Sequence, residues 1–306
     1  MQGRCRIGGA FSASGEGIKM EDKRSEKELR NAIAKAVSDA REQKPLAGSV
    51  TNTVTQNFVA NAQLAVGGSA AMVYLPDEAE FLASNGNSMY INLGTLIPNY
   101  AETVPRGAEA LHLAGKPWVL DPVGIGIGSL RTQLVKAVKP YKPTILRGNA
   151  SEIIAVADMW NVACDGSETD VSGNETSGPR GVDSTDEVSS ARQAAIAVAR
   201  FTGGAVMVSG EEDLVTDGET VVTVKGGSPL FESITGSGCS LGGVAAVYAA
   251  VADPLVAAIT ASAIYDAAGT RAAAIADAPA SFQVAFLDEL YRISPEEVAS
   301  NPMVFE

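Results

Sequence analysis

The chain has 306 residues, enough for one large α/β unit to bury its core without a disulfide or metal staple. Its formal net charge is −13 and no basic run offsets it, which argues against nucleic acid and anionic membrane as partners. Three cysteines without zinc or disulfide spacing and a single histidine argue against a disulfide scaffold and a His-dependent triad, and they fit a reducing, cytoplasmic location.

Residues 1–25 read as a disordered leader. MQGRCRIGGAFSASGEGIKM lacks the continuous apolar core of a secretory signal, and Met20 offers an alternative start. In EKELRNAIAKAVSDARE (26–42), Leu29, Ile33 and Val37 fall on one face, which predicts an amphipathic helix. A polar loop over 51–57, rich in Thr and Asn, then feeds a helix that includes Phe58 and Leu64. Beyond it, AAMVYL (70–75), SMYINL (88–93), PWVLDP (117–122), PTILRG (143–148) and GAVMVSG (204–210) alternate with helical stretches. Continuous apolar runs of this kind predict buried parallel strands.

Residues 163–186 are acidic and Gly/Ser-rich and read as a flexible polar loop. DLVTDGETVVTV (213–224) reads as a hairpin turning at Asp217-Gly218. The Ala-rich stretch 241–264 is split by Asp253-Pro254, which makes it a pair of buried helices and not a membrane span. The pattern predicts one domain over 26–306: a three-layer αβα unit with a mainly parallel central sheet and helices on both faces.

Ligands of such sheets bind beyond the C-terminal strand ends. There the sequence sets Asp121, Arg147, Asn149, Glu152 and Ser209. Asp121 and Glu152 would each alone read better as a turn or helix cap, but together, from neighbouring strand ends, they suit Mg²⁺. Arg147 could fork onto phosphate or pair with Asp121.

TGSGC (235–239) ahead of a helix predicts an anion hole made by Gly236, Ser237, Gly238 and Cys239. No lysine follows, so it is not the lysine-bearing phosphate loop. GIGIGS (124–129) lacks the spacing of a dinucleotide fingerprint. At a helix start, Cys239 is expected to have a lowered thiol pKa and to accept a proton; the plainer alternative is a small residue chosen for packing. His112, on a helix away from the strand ends, reads as structural.

SVTNTVTQNFVANAQLAVGGSAAM, INLGTL, VLDPVGIGIGSLRT, LRGNASEI, GVDS, VSGEEDLVTDG, ITGSGC and ASFQVAFLDEL occur in that order over residues 45–292. Together they resemble the hydroxyethylthiazole kinases of thiamine salvage, a family with the ribokinase-like fold. The resemblance implies ATP-dependent phosphorylation of the primary hydroxyl of 4-methyl-5-(2-hydroxyethyl)thiazole, with Mg²⁺, in a homotrimer whose active sites lie between subunits. It implies substrate contacts for Met72, Asn52 and Gly236, ATP contacts for Arg147 and Ser209, and Mg²⁺ held by Asp121 and Glu152 directly or through water. Cys239 falls where related sugar and vitamin kinases carry an aspartate base. The chain departs from the family pattern at Gly48, where histidine is common, and at Gly128, where threonine is usual. Two alternatives stand beside this reading: a kinase of the same fold for another hydroxylated heterocycle such as hydroxymethylpyrimidine, and a non-catalytic regulator that binds a nucleotide or thiamine precursor. Met72 and Asn52 argue against the first; Asp121, Glu152, Arg147 and Cys239 argue against the second.

Overall fold

The computed structural model describes residues 24–162 and 184–306. The leader expected over 1–25 lies outside the described residues up to position 23, and so does the loop expected over 163–186 up to position 183.

Ser25 starts α1 (Glu26–Gln43) with a reciprocal cap: its hydroxyl accepts the Glu28 N–H, and the Glu28 carboxylate accepts the Ser25 N–H. Leu29, Ile33, Val37 and Ala40 are buried, as the periodicity requires. Then follow β1 (Leu46–Val50), α2 (Gln56–Ala65), β2 (Ser69–Met72), α3 (Pro76–Asn85), β3 (Ser88–Asn92), α4 (Tyr100–Ala114) and β4 (Trp118–Asp121). Next are α5 (Ser129–Val138), β5 (Ile145–Asn149), α6 (Ala150–Met159), α7 (Ser184–Thr202), β6 (Ala205–Ser209), β7 (Asp213–Thr216) and β8 (Val221–Val224). The chain ends with α8 (Ser237–Ala249), α9 (Pro254–Ala273), α10 (Pro279–Arg292), α11 (Pro295–Ala299) and β9 (Met303–Phe305).

The strands form one sheet in the order β2-β1-β3-β4-β5-β6-β7-β8-β9. Pairings from β2 to β6 are parallel, and those from β6 to β9 are antiparallel. The expected hairpin is β7–β8. Two strands escape the sequence pattern. β1 reads LAGSV, where Gly48 and Ser49 break the apolar run, and β9 is only three residues long. β2 stops at Met72, short of the expected residue 75, because Pro76 starts α3 at its first turn.

Alternating strand residues feed two cores. Tyr90, Val119 and Ile145 pack under α1, α2, α8, α9 and α10, while Met89, Ile91, Leu120 and Leu146 pack under α3 to α7. α8 is buried all round from Cys239 to Ala249. Its small residues admit their neighbours: a side chain on Gly242 would overlap the Tyr90 ring, and one on Gly243 would press on Val59. Asp253 ends the first apolar stretch by accepting the Val256 N–H at 3.2 Å, with Pro254 in the first turn of α9. Among the described residues no helix is long and apolar enough to cross a membrane.

Candidate active site

Parallel pairing brings the C-terminal ends of β1, β3, β4, β5 and β6 to one edge. Asn92 and Asp121 are direct neighbours there, as are Asn149 and Ser209. Asn52 follows β1 by two residues. The first turn of α8 meets this edge: Cys239 Sγ accepts Asn92 Nδ2 at 3.3 Å and Asn52 Nδ2 at 3.5 Å.

Arg147 is buried between two partners. Its Nη1 reaches Asp121 Oδ2 at 3.4 Å, and its Nε and Nη2 donate to Ser209 Oγ at 3.2 and 2.8 Å. Burial is the largest influence and opposes its charge, but Asp121, Tyr90, Glu152 and Cys239 together outweigh it and the guanidinium pKa rises. Because Ser209 Oγ accepts from arginine, its own proton is left to donate outward. A Cβ on Gly238 would stand 2.6 Å from Arg147 Nη2, so glycine is what lets the guanidinium lie against the helix start.

Gly236 has φ 88°, in the left-handed region, and a Cβ there would lie 2.6 Å from Thr55 Cγ2. The first N–H groups of α8 have no intrahelical acceptor and carry the positive end of the helix dipole. Ser237 Oγ donates to the Phe231 carbonyl at 3.0 Å, and Tyr265 Oη donates to the Ser237 carbonyl at 2.6 Å. These bonds hold the turn from outside and leave its N–H groups directed at the site.

Asp121 is fully buried. Burial pushes its carboxyl up to about 6; Arg147 opposes that shift and Glu152 adds to it. Its Oδ2 accepts Tyr90 Oη at 2.7 Å and Asn92 Nδ2 at 3.1 Å, but its Oδ1 is buried with no hydrogen-bond partner. Such an atom needs a cation or a proton. Glu152 does cap α6, with Oε2 accepting the Asn149 N–H at 3.0 Å, while Oε1 accepts the Gly124 N–H at 3.0 Å. Each oxygen keeps further lone pairs. Among the described residues no three His, Cys, Asp or Glu side chains cluster as a metal cage. Two carboxylates at neighbouring strand ends, one with an unpartnered buried oxygen, fit Mg²⁺, which completes its shell with water and phosphate oxygens.

The expected direction of the Cys239 pKa is corrected. Burial raises it first and Asp121 second, and the opposing pull of Arg147, Asn92 and Thr55 does not overcome them. The helix start acts on a desolvated thiol beside a carboxylate, and desolvation prevails.

Met72 closes β2 and packs, half-buried, on the α2 side of the sheet, the same side as Cys239. His112 lies near the end of α4 against the Tyr141 ring, away from the site, as expected. Asn92, Tyr90 and Thr55 were not singled out by the sequence reading. The first two carried a signal: SMYIN places polar Tyr90 and Asn92 at alternate positions, facing α8, at a strand end.

A cavity of about 540 Å³ adjoins Ser209 and the α8 start, lined by Gly210, Glu212, Gly227, Phe231, Glu232 and Asp266. Asp213 beneath it accepts Ser262 Oγ at 2.9 Å and the Gly210 N–H at 3.2 Å. Burial, then the charge of Asp213, raises the Asp266 carboxyl.

The hydroxyethylthiazole kinase family model matches residues 37–296 of the chain. The hydroxyethylthiazole kinase of Bifidobacterium adolescentis is 50% identical over 283 residues, covering 90% of this chain and 95% of that protein. The solved hydroxyethylthiazole kinase of Pyrococcus horikoshii superposes with a TM-score of 0.77 at 29% identity, over 90% of this chain and 98% of that one. A ribokinase-like superfamily protein of Enterococcus faecalis superposes with a TM-score of 0.54 at 9% identity, over 89% and 96% of the two chains, and shares the fold.

Proposed function

Since the chain belongs to the hydroxyethylthiazole kinase family, we infer that it is an ATP-dependent kinase acting on the primary hydroxyl of the thiazole alcohol of thiamine salvage. The observation that carries this reading is the meeting of Arg147, Asp121 and Cys239 at the start of α8, beside strand ends able to hold a triphosphate.

The residues divide the work as follows. The cavity from Gly210 to Asp266 takes the base and ribose of ATP, because its lining begins at Gly210, the residue after Ser209. Arg147 and Ser209 contact the phosphates, and Asp121 and Glu152 hold Mg²⁺, which supplies charge neutralisation on the phosphates when bound. Asn52, Met72 and Gly236 face the thiazole alcohol. The N–H groups of Ser237, Gly238 and Cys239 stabilise the charge that grows on the transferring phosphoryl group. The alcohol oxygen bonds to the γ-phosphorus, the bond to the ADP oxygen breaks, and Cys239, having first released its own proton to solvent, takes up the alcohol proton late in the step. Positioning supplies most of the acceleration, because a loose phosphoryl transition state asks little of a base.

We place the protein in the cytoplasm and assign it a homotrimeric state, with sites between subunits. Exposed Leu64 on α2, and Val284 and Tyr291 on the adjoining α10, offer apolar surface for a subunit interface. ADP release with a panel of hydroxylated heterocycles tests the function: the thiazole alcohol should drive it, and a response only to hydroxymethylpyrimidine would replace this reading with the sister activity.

A further inference from the structure

Asn92 ties the buried carboxylate of the site to its thiol. Asn92 Oδ1 accepts the Gly94 N–H at 2.9 Å and Asn52 Nδ2 at 3.2 Å. Both neighbours are donors, so the amide has one orientation and its NH₂ faces the other way. On that side stand Tyr90 Oη at 2.7 Å, Asp121 Oδ2 at 3.1 Å and Cys239 Sγ at 3.3 Å. Tyr90 gives its own proton to Asp121 Oδ2, so its oxygen is an acceptor toward Asn92. One amide proton therefore serves the Tyr90–Asp121 pair and the other serves the sulfur. Tyr90, Asn92 and Asp121 are all 0% exposed, so no solvent substitutes for a lost bond.

The consequence falls on Asp121. Its Oδ2 is occupied by Tyr90, Asn92 and Arg147, while Oδ1 has no partner. The carboxylate cannot turn without breaking three contacts, so Oδ1 is the oxygen offered to the site. The same amide sets the direction from which Cys239 accepts a hydrogen bond.

We propose that Asn92 is a positioning residue for phosphoryl transfer: its amide fixes the rotation of Asp121 and the placement of Cys239 Sγ as one unit. The proposal rests on the kinase reading of this site and extends it to a residue that touches neither substrate. An aspartate at the same position has nearly the same shape but presents an acceptor to Asp121 and Cys239, so it inverts the arrangement.

The test compares Asn92→Asp, Asn92→Ala and Asn92→Ser, alone and in a Cys239→Ala background, by steady-state ADP release and thermal melting. Asn92→Asp and Asn92→Ala should lower kcat by about 100-fold, with KM for ATP and for the thiazole alcohol within about threefold of wild type. Asn92→Ser, which keeps a donor, should recover part of the loss. In Cys239→Ala the cost of Asn92→Ala should shrink by about tenfold, because the two residues act as a unit. Calorimetric titration with ADP, without and with Mg²⁺, gives a readout independent of turnover: metal-free binding should be unchanged in Asn92→Ala and the Mg²⁺-dependent gain reduced. Undiminished kcat, a loss confined to KM, equal costs in both backgrounds, or an unaltered Mg²⁺-dependent gain would each overturn the role of Asn92. A silent wild type would instead overturn the kinase reading, and this proposal with it.

Discussion

Cys239 sits in a buried place where two amides, from Asn52 and Asn92, point N–H groups at its sulfur. With its pKa raised by burial and by Asp121, it rests as a thiol and is not a standing base. Neutralising the charge of Asp121 would remove the second cause and favour the thiolate, the form that can accept a proton. Two outcomes follow at this scale. Cys239→Ala should lower kcat by about 10- to 100-fold, below the upper range for general acid–base catalysis, with ATP affinity retained. Cys239→Asp should remain active, since Asn52 and Asn92 would solvate a carboxylate there. A Cys239→Ala enzyme with wild-type turnover, read by ADP release, would reduce the cysteine to a packing residue. TGSGC was legible in the sequence as a turn at a helix start, which α8 has, but the sign of the thiol shift was not legible there. It depends first on the burial of the thiol and then on Asp121 from β4, more than a hundred positions away, being folded against α8.

Elements meet at the edge of the site with opposed charges as well as paired ones. Asp266 on α9 and Asp213 on β7 face each other under the cavity beside Ser209, with Ser262 and the Gly210 N–H on Asp213 and Arg147 acting from β5. Burial, with Asp213 beside it, pushes Asp266 up to about 8. The folded chain thus keeps a proton that the unfolded chain has lost, so stability falls as pH rises from the ordinary aspartate range toward about 8. Asp266→Asn removes this dependence. Its melting temperature should exceed that of the wild type by more at about pH 9 than at about pH 5, and an equal difference at both would contradict the pairing.

Elements also show what patterning could and could not reveal. β3, β4, β5 and β6 were legible because they are buried on both faces and mostly apolar ahead of their polar C-terminal ends. β1 was not, because Gly48 and Ser49 give up apolar side chains: a Cβ on Gly48 would press on Leu82, and Ser49 bonds Gln63. The carboxylate pair Asp121 and Glu152 was visible from strand order, but the Tyr90–Asn92 link between Asp121 and Cys239 needed the register of β3 against β4.

At the scale of the molecule, a net charge of −13 leaves the phosphate site dependent on a few local cations and N–H groups. Arg147 and the α8 start provide them at a sheet edge whose other polar groups are the carboxylates Asp121 and Glu152 and neutral Asn and Ser side chains. The assigned trimer predicts a light-scattering mass three times that of the chain; a monomer mass would remove the intersubunit site. The central claim concerns the reaction itself. Incubating the wild-type protein with ATP, Mg²⁺ and the thiazole alcohol should yield the thiazole monophosphate, identified by mass spectrometry, in equal amount to ADP. ADP formed at the same rate with the alcohol left out, or no monophosphate with it present, would contradict the account.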